Sequence, residues 1–221
     1  MITENDKLSD VVSRNIDLLP IIHRLGLSQN MGERNICEVC RQNMKDVNFI
    51  LGILNTYSSA DYLPKPDDLE LKSLIDFLTL THNYHKKVTI PRLYGFIVQL
   101  KQQMPNEKLL LIVEKYLNQY IKKLLQHIDF EEQDIFPLVN KRKSDDEKSV
   151  NINKLFRQHT NVENEISDLK TIIIRHIPQN VNMDLINDLL HALSHFEKEQ
   201  LDHARFEDKI LIPKLLVLMA D

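Results

Sequence analysis

Four long segments of this chain are almost free of the residues that end helices. The sequence of 221 residues contains only 4 glycines and 8 prolines, and Leu, Ile, Lys, Glu and Asn are prominent in it. Such a composition favours long helices over many short strands. The apolar residues recur with the period of a helix, and no strand-like alternation competes with that pattern. The sequence therefore predicts an all-α protein.

The four predicted helical segments are separated by breaks rich in Pro, Asn and charged residues. They cover about 69–103, 107–141, 150–176 and 183–219. Pro91 lies inside the first segment and should kink or split that helix. Because the connections are short, an up-down-up-down four-helix bundle is the natural architecture.

A small helical domain is predicted ahead of the bundle, at residues 1–57. The stretches LSDVVSRN and DLLPIIHRL predict two short helices, and Gly26 follows them as a helix stop. A longer helix is predicted from about Ile36 to Asn55. Residues 58–68, SSADYLPKPDD, contain two prolines and several turn formers and predict a linker. The bundle then takes residues 69–221.

The charge and hydropathy of the chain argue against several classes of partner. Lys and Arg number 28 and Asp and Glu number 32, so the net charge is −4 and provides no basic field for nucleic acid. No stretch approaches the roughly 20 apolar residues that span a bilayer. The N-terminus, MITENDKLSD, is polar and acidic, unlike a secretory signal. With only two cysteines, a cytoplasmic protein with reduced thiols is expected.

One eleven-residue pattern occurs in both the second and the fourth predicted helices. HIDFEEQDIFP begins at His127 and HARFEDKILIP at His203, and in each the histidine is followed by Phe at +3, Glu at +4 and Pro at +10. Residues i and i+4 share a helix face, with β-carbons roughly 5–6 Å apart. His127 with Glu131, and His203 with Glu207, can therefore point at one central metal site.

The first and third predicted helices each offer a further histidine. His85 lies in LTHNYHKKV and His159 in LFRQHTNVENEI. Mixed imidazole and carboxylate ligands suit iron, manganese or zinc better than calcium or copper(I). Four imidazoles and two bridging carboxylates on two irons leave room for a bridging oxide or hydroxide and about one open position per metal. Any one of these histidines alone is more often a core or surface residue, and the repeat makes the pattern specific.

Other ligand-type residues carry weaker signals. His82 lies one turn before His85. It is expected either to orient a metal ligand through a hydrogen bond or to serve as a ligand in place of His85. Surface or core positions are expected for His23, His176, His191 and His195. Cys37 and Cys40 form a single C-x-x-C, which is a redox pair, half of a metal site or, as the favoured interpretation, two ordinary helix cysteines.

These motifs resemble the hemerythrin-like cation-binding family, and the chain is similar to its iron-centre repair branch, whose di-iron proteins restore iron–sulfur clusters after nitrosative or oxidative damage. The resemblance covers about 69–219. It implies a pair of non-haem irons held by four histidines and two bridging glutamates. In this sequence they are His85, His127, Glu131, His159, His203 and Glu207.

Two departures refine this resemblance. The third helix of oxygen-carrying hemerythrins presents His-x-x-x-His, whereas here Glu163 follows His159 at +4. One histidine fewer implies a more open and reactive metal pair, which favours chemistry on nitric oxide, oxygen or peroxide over reversible storage. The small domain of repair proteins carries a Cys-Cys pair, whereas Asn30 and Met31 stand at the corresponding positions here. This difference moves weight toward a sensor or scavenger.

The leading hypothesis is a cytoplasmic di-iron protein that binds nitric oxide or oxygen species and donates iron to damaged iron–sulfur proteins. The alternative is a hemerythrin-like O2 or NO sensor or scavenger without repair activity, and a metal-free interaction bundle ranks third. Whether the chain is an enzyme stays open, as does the formation of a homodimer.

Overall fold

The protein is described here by a computed structural model, which covers residues 1–27, 31–104, 107–139, 165–178 and 181–220. Within these ranges the chain forms helices joined by turns and contains no β-strand, apart from one isolated bridge between Lys7 and Asn35. The predicted all-α class is confirmed. None of the helices within the described ranges combines the length and the apolarity needed to cross a bilayer.

The chain divides into two compact units. The first consists of residues 1–81 with 205–221, and the second of residues 82–204. The predicted division into domains at residues 58–68 stays a prediction. In that stretch the structure has irregular backbone followed by a 3₁₀ turn at Pro66–Asp68.

The first unit begins with four short helices. They are α1 (Leu8–Arg14), α2 (Leu18–Arg24), α3 (Ile36–Gln42) and α4 (Val47–Ser58). The two short helices predicted before Gly26 are confirmed. Gly26 has a φ of +76°, and the N–H of Leu27 donates to the carbonyl of Ile22 at 3.0 Å, so α2 ends in a Schellman motif.

The single helix predicted from Ile36 to Asn55 is wrong, because the chain turns between α3 and α4. Met44 adopts a left-handed φ of 52°, and the N–H of Lys45 donates to the carbonyl of Cys40 at 2.9 Å. The carboxylate of Asp46 then accepts the N–H of Phe49 at 2.7 Å and starts α4. The apolar periodicity continues across this turn, so only the N-capping aspartate marks it in the sequence.

The long helical segments follow in the order predicted. They are α5 (Leu71–Tyr84), π1 (His85–Thr89), α6 (Ile90–Gln103), α7 (Lys108–Phe130), π2 (Glu131–Ile135), α8 (Glu165–Arg175), α9 (Met183–Phe206), π3 (Glu207–Leu211) and α10 (Ile212–Ala220), where π denotes a π-helical turn. Residues 136–139 form a 3₁₀ turn after π2. The start of the predicted third helix, residues 150–164, lies outside the described residues.

Helices α6 to α9 of the second unit pack around one apolar core, which confirms the predicted helical bundle. The hydroxyl of Tyr94 donates to Asn118 at 2.6 Å, and the Lys101 ammonium lies 2.8 Å from the Glu114 carboxylate. Since Tyr94 precedes Lys101 whereas Asn118 follows Glu114, α6 and α7 are antiparallel. The short connection between these helices has the length typical of such a pair.

The three π turns share one register relative to proline. Each begins six residues before a proline: His85 before Pro91, Glu131 before Pro137 and Glu207 before Pro213. A proline lacks the N–H of a helix interior, and its ring collides with the carbonyl four residues earlier. A wider turn relieves that clash. Pro91 therefore changes the helix type locally, and the chain stays helical from Leu71 to Gln103.

Candidate metal centre

Four buried side chains offer ligand atoms to one small volume. His82, Glu131, His203 and Glu207 each present one nitrogen or oxygen, and these atoms all lie within 4.8 Å of one another. The four residues are at most 5% exposed, and both glutamates are 0% exposed. The group therefore has the donor atoms and the spacing that a metal ion requires.

The secondary structure explains why these side chains meet. His82 lies in the last turn of α5, and Glu131 is the first residue of π2. His203 lies in the last turn of α9, and Glu207 follows one turn later as the first residue of π3. The i, i+4 spacing puts His203 and Glu207 on one helix face, as the sequence predicts.

The two oxygens of the Glu131 carboxylate face different histidines. Its Oε2 lies 3.2 Å from Nε2 of His82, and its Oε1 lies 3.1 Å from Nε2 of His127. Nε2 of His82 also lies 3.1 Å from Nε2 of His203. Nitrogens of His82 and His127 thus lie beside different oxygens of one carboxylate, and a nitrogen of His203 lies beside that of His82.

The ring of His82 is oriented by an ion-paired glutamate. Nδ1 of His82 lies 3.0 Å from Oε1 of Glu132, and the ammonium of Lys86 lies 3.1 Å from the other oxygen. The hydrogen bonds from His82 and Lys86 hold the pKa of the Glu132 carboxyl below its ordinary value, although partial burial opposes this. An ionised Glu132 can only accept, so Nδ1 of His82 donates the hydrogen bond between them, and in the neutral ring Nε2 is then the nitrogen that offers a lone pair to a metal.

His85 is buried beside a second glutamate. Its Nδ1 lies 3.4 Å from the Thr89 hydroxyl and 3.9 Å from the carboxylate of Glu199. Its ring meets Phe196 edge-on with the ring centroids 5.2 Å apart, and Phe196 in turn meets Tyr120 edge-on at 5.9 Å. His85 does not belong to the group of four that the described residues form.

The six predicted ligands therefore fall into three sets. Glu131, His203 and Glu207 belong to the group of four, and His127 contacts Glu131. His85 lies beside Glu199, while His159 lies outside the described residues. As metal ligands all six stay predictions.

The sequence motifs favoured His85 over His82 as a ligand. They did not single out Glu132, nor the two buried acids Glu199 and Asp202. Glu199 and Asp202 are 3% and 6% exposed, and Asp202 pairs with Lys198 at 3.1 Å. A signal for Glu199 exists, because it precedes His203 by one helical turn and so shares a face with it. The histidines expected on the surface or in the core are exposed or partly buried: His23, His176, His191 and His195.

Within the part of the chain that the structure describes, the two cysteines do not join such a group of ligands. Cys40 is 0% exposed in α3, whereas Cys37 is partly exposed with its sulfur 3.8 Å from the guanidinium of Arg41. Burial, reinforced by neighbouring Cys37 and Asp46, raises the pKa of the Cys40 thiol to about 11. A neutral buried thiol is a poor nucleophile and a poor metal ligand, which favours the interpretation as ordinary helix cysteines.

The donor set fits a transition metal. Imidazole nitrogens and carboxylate oxygens from separate helical segments suit iron, manganese or zinc. Burying two carboxylates as deeply as Glu131 and Glu207 is costly unless positive charge lies close to them. A cation among these four residues would supply that charge.

A helical bundle with a buried group of histidines and glutamates defines a class of metal-binding bundle proteins. Residues 73–215 match the family described as "Hemerythrin HHE cation binding domain". Because this match covers more than half of the chain, the protein belongs to that family. Domains of this family bind metal ions, typically iron. No curated protein matches the chain.

Proposed function

We propose that this hemerythrin-family protein holds a pair of non-haem irons and uses it on nitric oxide or oxygen species. The observation that carries the proposal is the position of the Glu131 carboxylate, with one oxygen beside His82 and the other beside His127. If Glu131 held two metal ions together, each of its oxygens would lie beside its own set of protein ligands, and this position supports that role.

The chain would share its ligands between the two ions. His82 and His203 would serve the side that faces Oε2 of Glu131, and His127 the side that faces Oε1, while Glu207 belongs to the same group of four. The sequence adds His159, and either His82 or His85 supplies the fourth imidazole. Four imidazoles and two carboxylates leave room for an oxide or hydroxide bridge. The iron pair would supply open coordination positions and redox capacity for a small molecule.

The surrounding residues would hold the metal-binding side chains in place without binding the metal themselves. Glu132 and Lys86 fix the ring of His82, and Phe136 stacks on the same ring with centroids 5.6 Å apart. Such outer contacts orient metal ligands and are needed for full affinity. Deep burial keeps bulk water away from Glu131 and Glu207, which strengthens every charge interaction there.

The leading form of the proposal is repair, in which the chain also donates iron to damaged iron–sulfur proteins in the cytoplasm. One observation favours the alternative, an O2 or NO sensor or scavenger: the raised pKa of Cys40 leaves this thiol unreactive, and Asn30 and Met31 stand where repair proteins have two cysteines. The partners expected are NO, O2 or peroxide, and a second copy of the chain is a further candidate partner.

Metal content tests the core of the proposal. Protein purified without added metal should contain about two irons per chain, as measured by inductively coupled plasma mass spectrometry. Absence of iron even after anaerobic reconstitution would overturn the iron centre.

A second assay separates the two forms of the proposal. The iron-loaded protein is incubated with an iron–sulfur enzyme that nitric oxide has inactivated, and the activity of that enzyme is followed. Recovery supports repair. Tight, reversible NO binding without recovery supports sensing or scavenging.

A further inference from the structure

The first unit contains a groove whose described lining includes none of the predicted metal ligands. Its walls come from the start of α4, from residues 66–73 and from α10, and its volume is about 770 Å³. Clefts of this size are typical of binding sites. None of the four residues of the candidate metal site lines the groove, so the metal site does not account for this groove.

The floor of the groove is apolar and fixed. Phe49 and Leu69 are 8% and 0% exposed. A β-carbon at Gly52 would lie 3.1 Å from Cδ2 of Leu69, so Leu69 packs directly on the backbone of α4. The floor is therefore preformed, which lowers the entropy cost of binding a partner.

One wall of the groove exposes large apolar side chains. Val217 and Leu218 of α10 line the groove and are 65% and 48% exposed, and the neighbouring Leu216 is 47% exposed. Single exposed apolar residues are ordinary, but Val217 and Leu218 share one lining with the buried Phe49 and Leu69 and so form an apolar surface with them. Patches of this kind are typical of protein interaction sites.

The rim of the groove is acidic. Asp46, Asp67, Asp68 and Glu70 all line the groove, and among the described lining residues Lys214 is the one cation. The ammonium of Lys214 donates to the carbonyl of Pro66 at 2.8 Å. Asp67 and Asp68 are exposed and make no side-chain hydrogen bond or ion pair with the residues that the structure describes. The rim thus carries a net negative charge, and Asp67 and Asp68 are its carboxylates open to a partner.

We propose that this groove docks a basic amphipathic segment of another protein. Apolar side chains of that segment would enter between Val217 and Phe49, and its lysines or arginines would meet Asp67 and Asp68. The charge complementarity selects this occupant, because an acidic or uncharged segment would leave the rim unpaired. The proposal goes beyond metal binding and gives the protein a macromolecular partner.

Synthetic peptides probe the groove directly in the full-length, metal-loaded chain. The probe is a fluorescein-labelled peptide of about 16 residues, built from Lys and Leu with the leucines at i, i+3 and i+4 spacing. A scrambled peptide of equal composition and a Glu/Leu counterpart serve as peptide controls. Fluorescence anisotropy should show binding of the amphipathic basic peptide alone, with affinity that falls as salt is raised.

Two double variants test the two chemical parts of the groove. Asp67→Asn with Asp68→Asn should weaken the basic peptide about tenfold and flatten its salt dependence. Val217→Ser with Leu218→Ser should weaken it by a similar factor and keep the salt dependence. All four side chains are exposed or half-exposed, so the fold should tolerate the changes, which circular dichroism checks.

Matched variants elsewhere remove general effects of charge and hydrophobicity. Asp184→Asn with Asp188→Asn makes the same charge change on exposed residues of α9, and Leu111→Ser with Ile112→Ser removes exposed apolar residues of α7. Neither pair should alter peptide binding. The iron content of every variant should equal that of the wild type, so failure of this proposal is distinguishable from failure of the metal centre.

Three outcomes would overturn the docking proposal. The first is equal binding of the scrambled or acidic peptide, and the second is equal binding to the groove and control variants. The third is a different occupant: spermine that binds through Asp67 and Asp68 while Val217 and Leu218 have no effect, or a dimer in sedimentation velocity that the Val217 and Leu218 variant dissociates.

Discussion

Among the described residues, two regions that carry metal-type ligands at helical spacing differ, because one of them brings its ligands together with those of other segments and the other does not. His203 and Glu207 lie one turn apart and meet His82 and Glu131, which arrive from two other helical segments. Cys37 and Cys40 also lie about one turn apart, but Cys40 enters an apolar core and Cys37 lies beside Arg41. Spacing on one helix makes two residues neighbours, whereas a metal site requires convergence from several helices.

Removal of a glutamate should produce the largest difference between the two regions. Glu131→Ala and Glu207→Ala should each deplete bound iron, with an affinity loss of more than about 100-fold, because a ligand matters more than the outer contacts that orient it. Mass spectrometry of purified variants measures the iron. His195→Ala is the control and should keep its iron. Full iron retention in both glutamate variants would contradict the bridging assignment.

A comparison of His82 with His85 sharpens which residue of α5 and π1 acts as a ligand. His82→Ala should weaken iron binding at least tenfold more than His85→Ala, because Nε2 of His82 lies 3.1 Å from Nε2 of His203 whereas His85 faces Glu199 and Thr89. Competition with a chelator measures both affinities. A larger loss in His85→Ala would restore the ligand set implied by the family resemblance.

An intermediate effect is expected for the glutamate that orients His82. Glu132→Gln should lower iron affinity by about 10- to 100-fold, because an amide holds the Nδ1–H of His82 less firmly than a carboxylate does. Glu197→Gln breaks a comparable partly buried pair with Lys170 and serves as the control. If both variants bind iron equally well, the Glu132 contact is irrelevant to the centre.

The smallest effect is expected for the cysteines. Cys37→Ser with Cys40→Ser should leave the iron content unchanged, and iodoacetamide at pH 8 should leave Cys40 of the folded protein unmodified.

The pKa of Cys40 in the folded protein, about 11, lies above the roughly 8.5 of a thiol in the unfolded chain. The contribution of Cys40 to the free energy of unfolding is therefore complete below about pH 8.5 and declines as the pH rises toward 11. Urea unfolding at pH 8 and pH 10.5 should show a smaller decline in Cys40→Ala. Loss of iron in the double cysteine variant would erase the contrast between the two regions.

Much of the fold follows from local patterns in the sequence. The absence of helix-ending residues marks the long helices, and Gly26 marks the end of α2. The turn at Met44 escapes such reasoning because apolar residues recur at helical spacing on both sides of it. Periodicity records which residues are buried, and it does not record whether the backbone between them is continuous.

The site is predictable where its residues repeat and obscure where they do not. The repeated pattern identifies His127 with Glu131 and His203 with Glu207, and the structure brings three of these residues to one volume. His82 and His85 lie within one turn, and their sequence neighbours do not distinguish them. Their roles depend on which of them faces Glu131 and which faces Glu199, and this is a property of packing between helices.

The π turns also carry a consequence for reading and aligning such chains. Each π turn contains about one residue more than a regular turn, so in an alignment it is equivalent to a one-residue insertion. A helical wheel drawn at about 100° per residue from Leu71 is therefore out of phase by about one position beyond Thr89. Deleting a single residue such as Val88 would turn π1 into a regular α turn and keep the buried stripe of Leu93, Ile97 and Leu100 on its present face. The same deletion within the regular turns of α5 would rotate this stripe by about 100°. At each of the three π turns the helix can therefore lose one residue without changing which face meets the core.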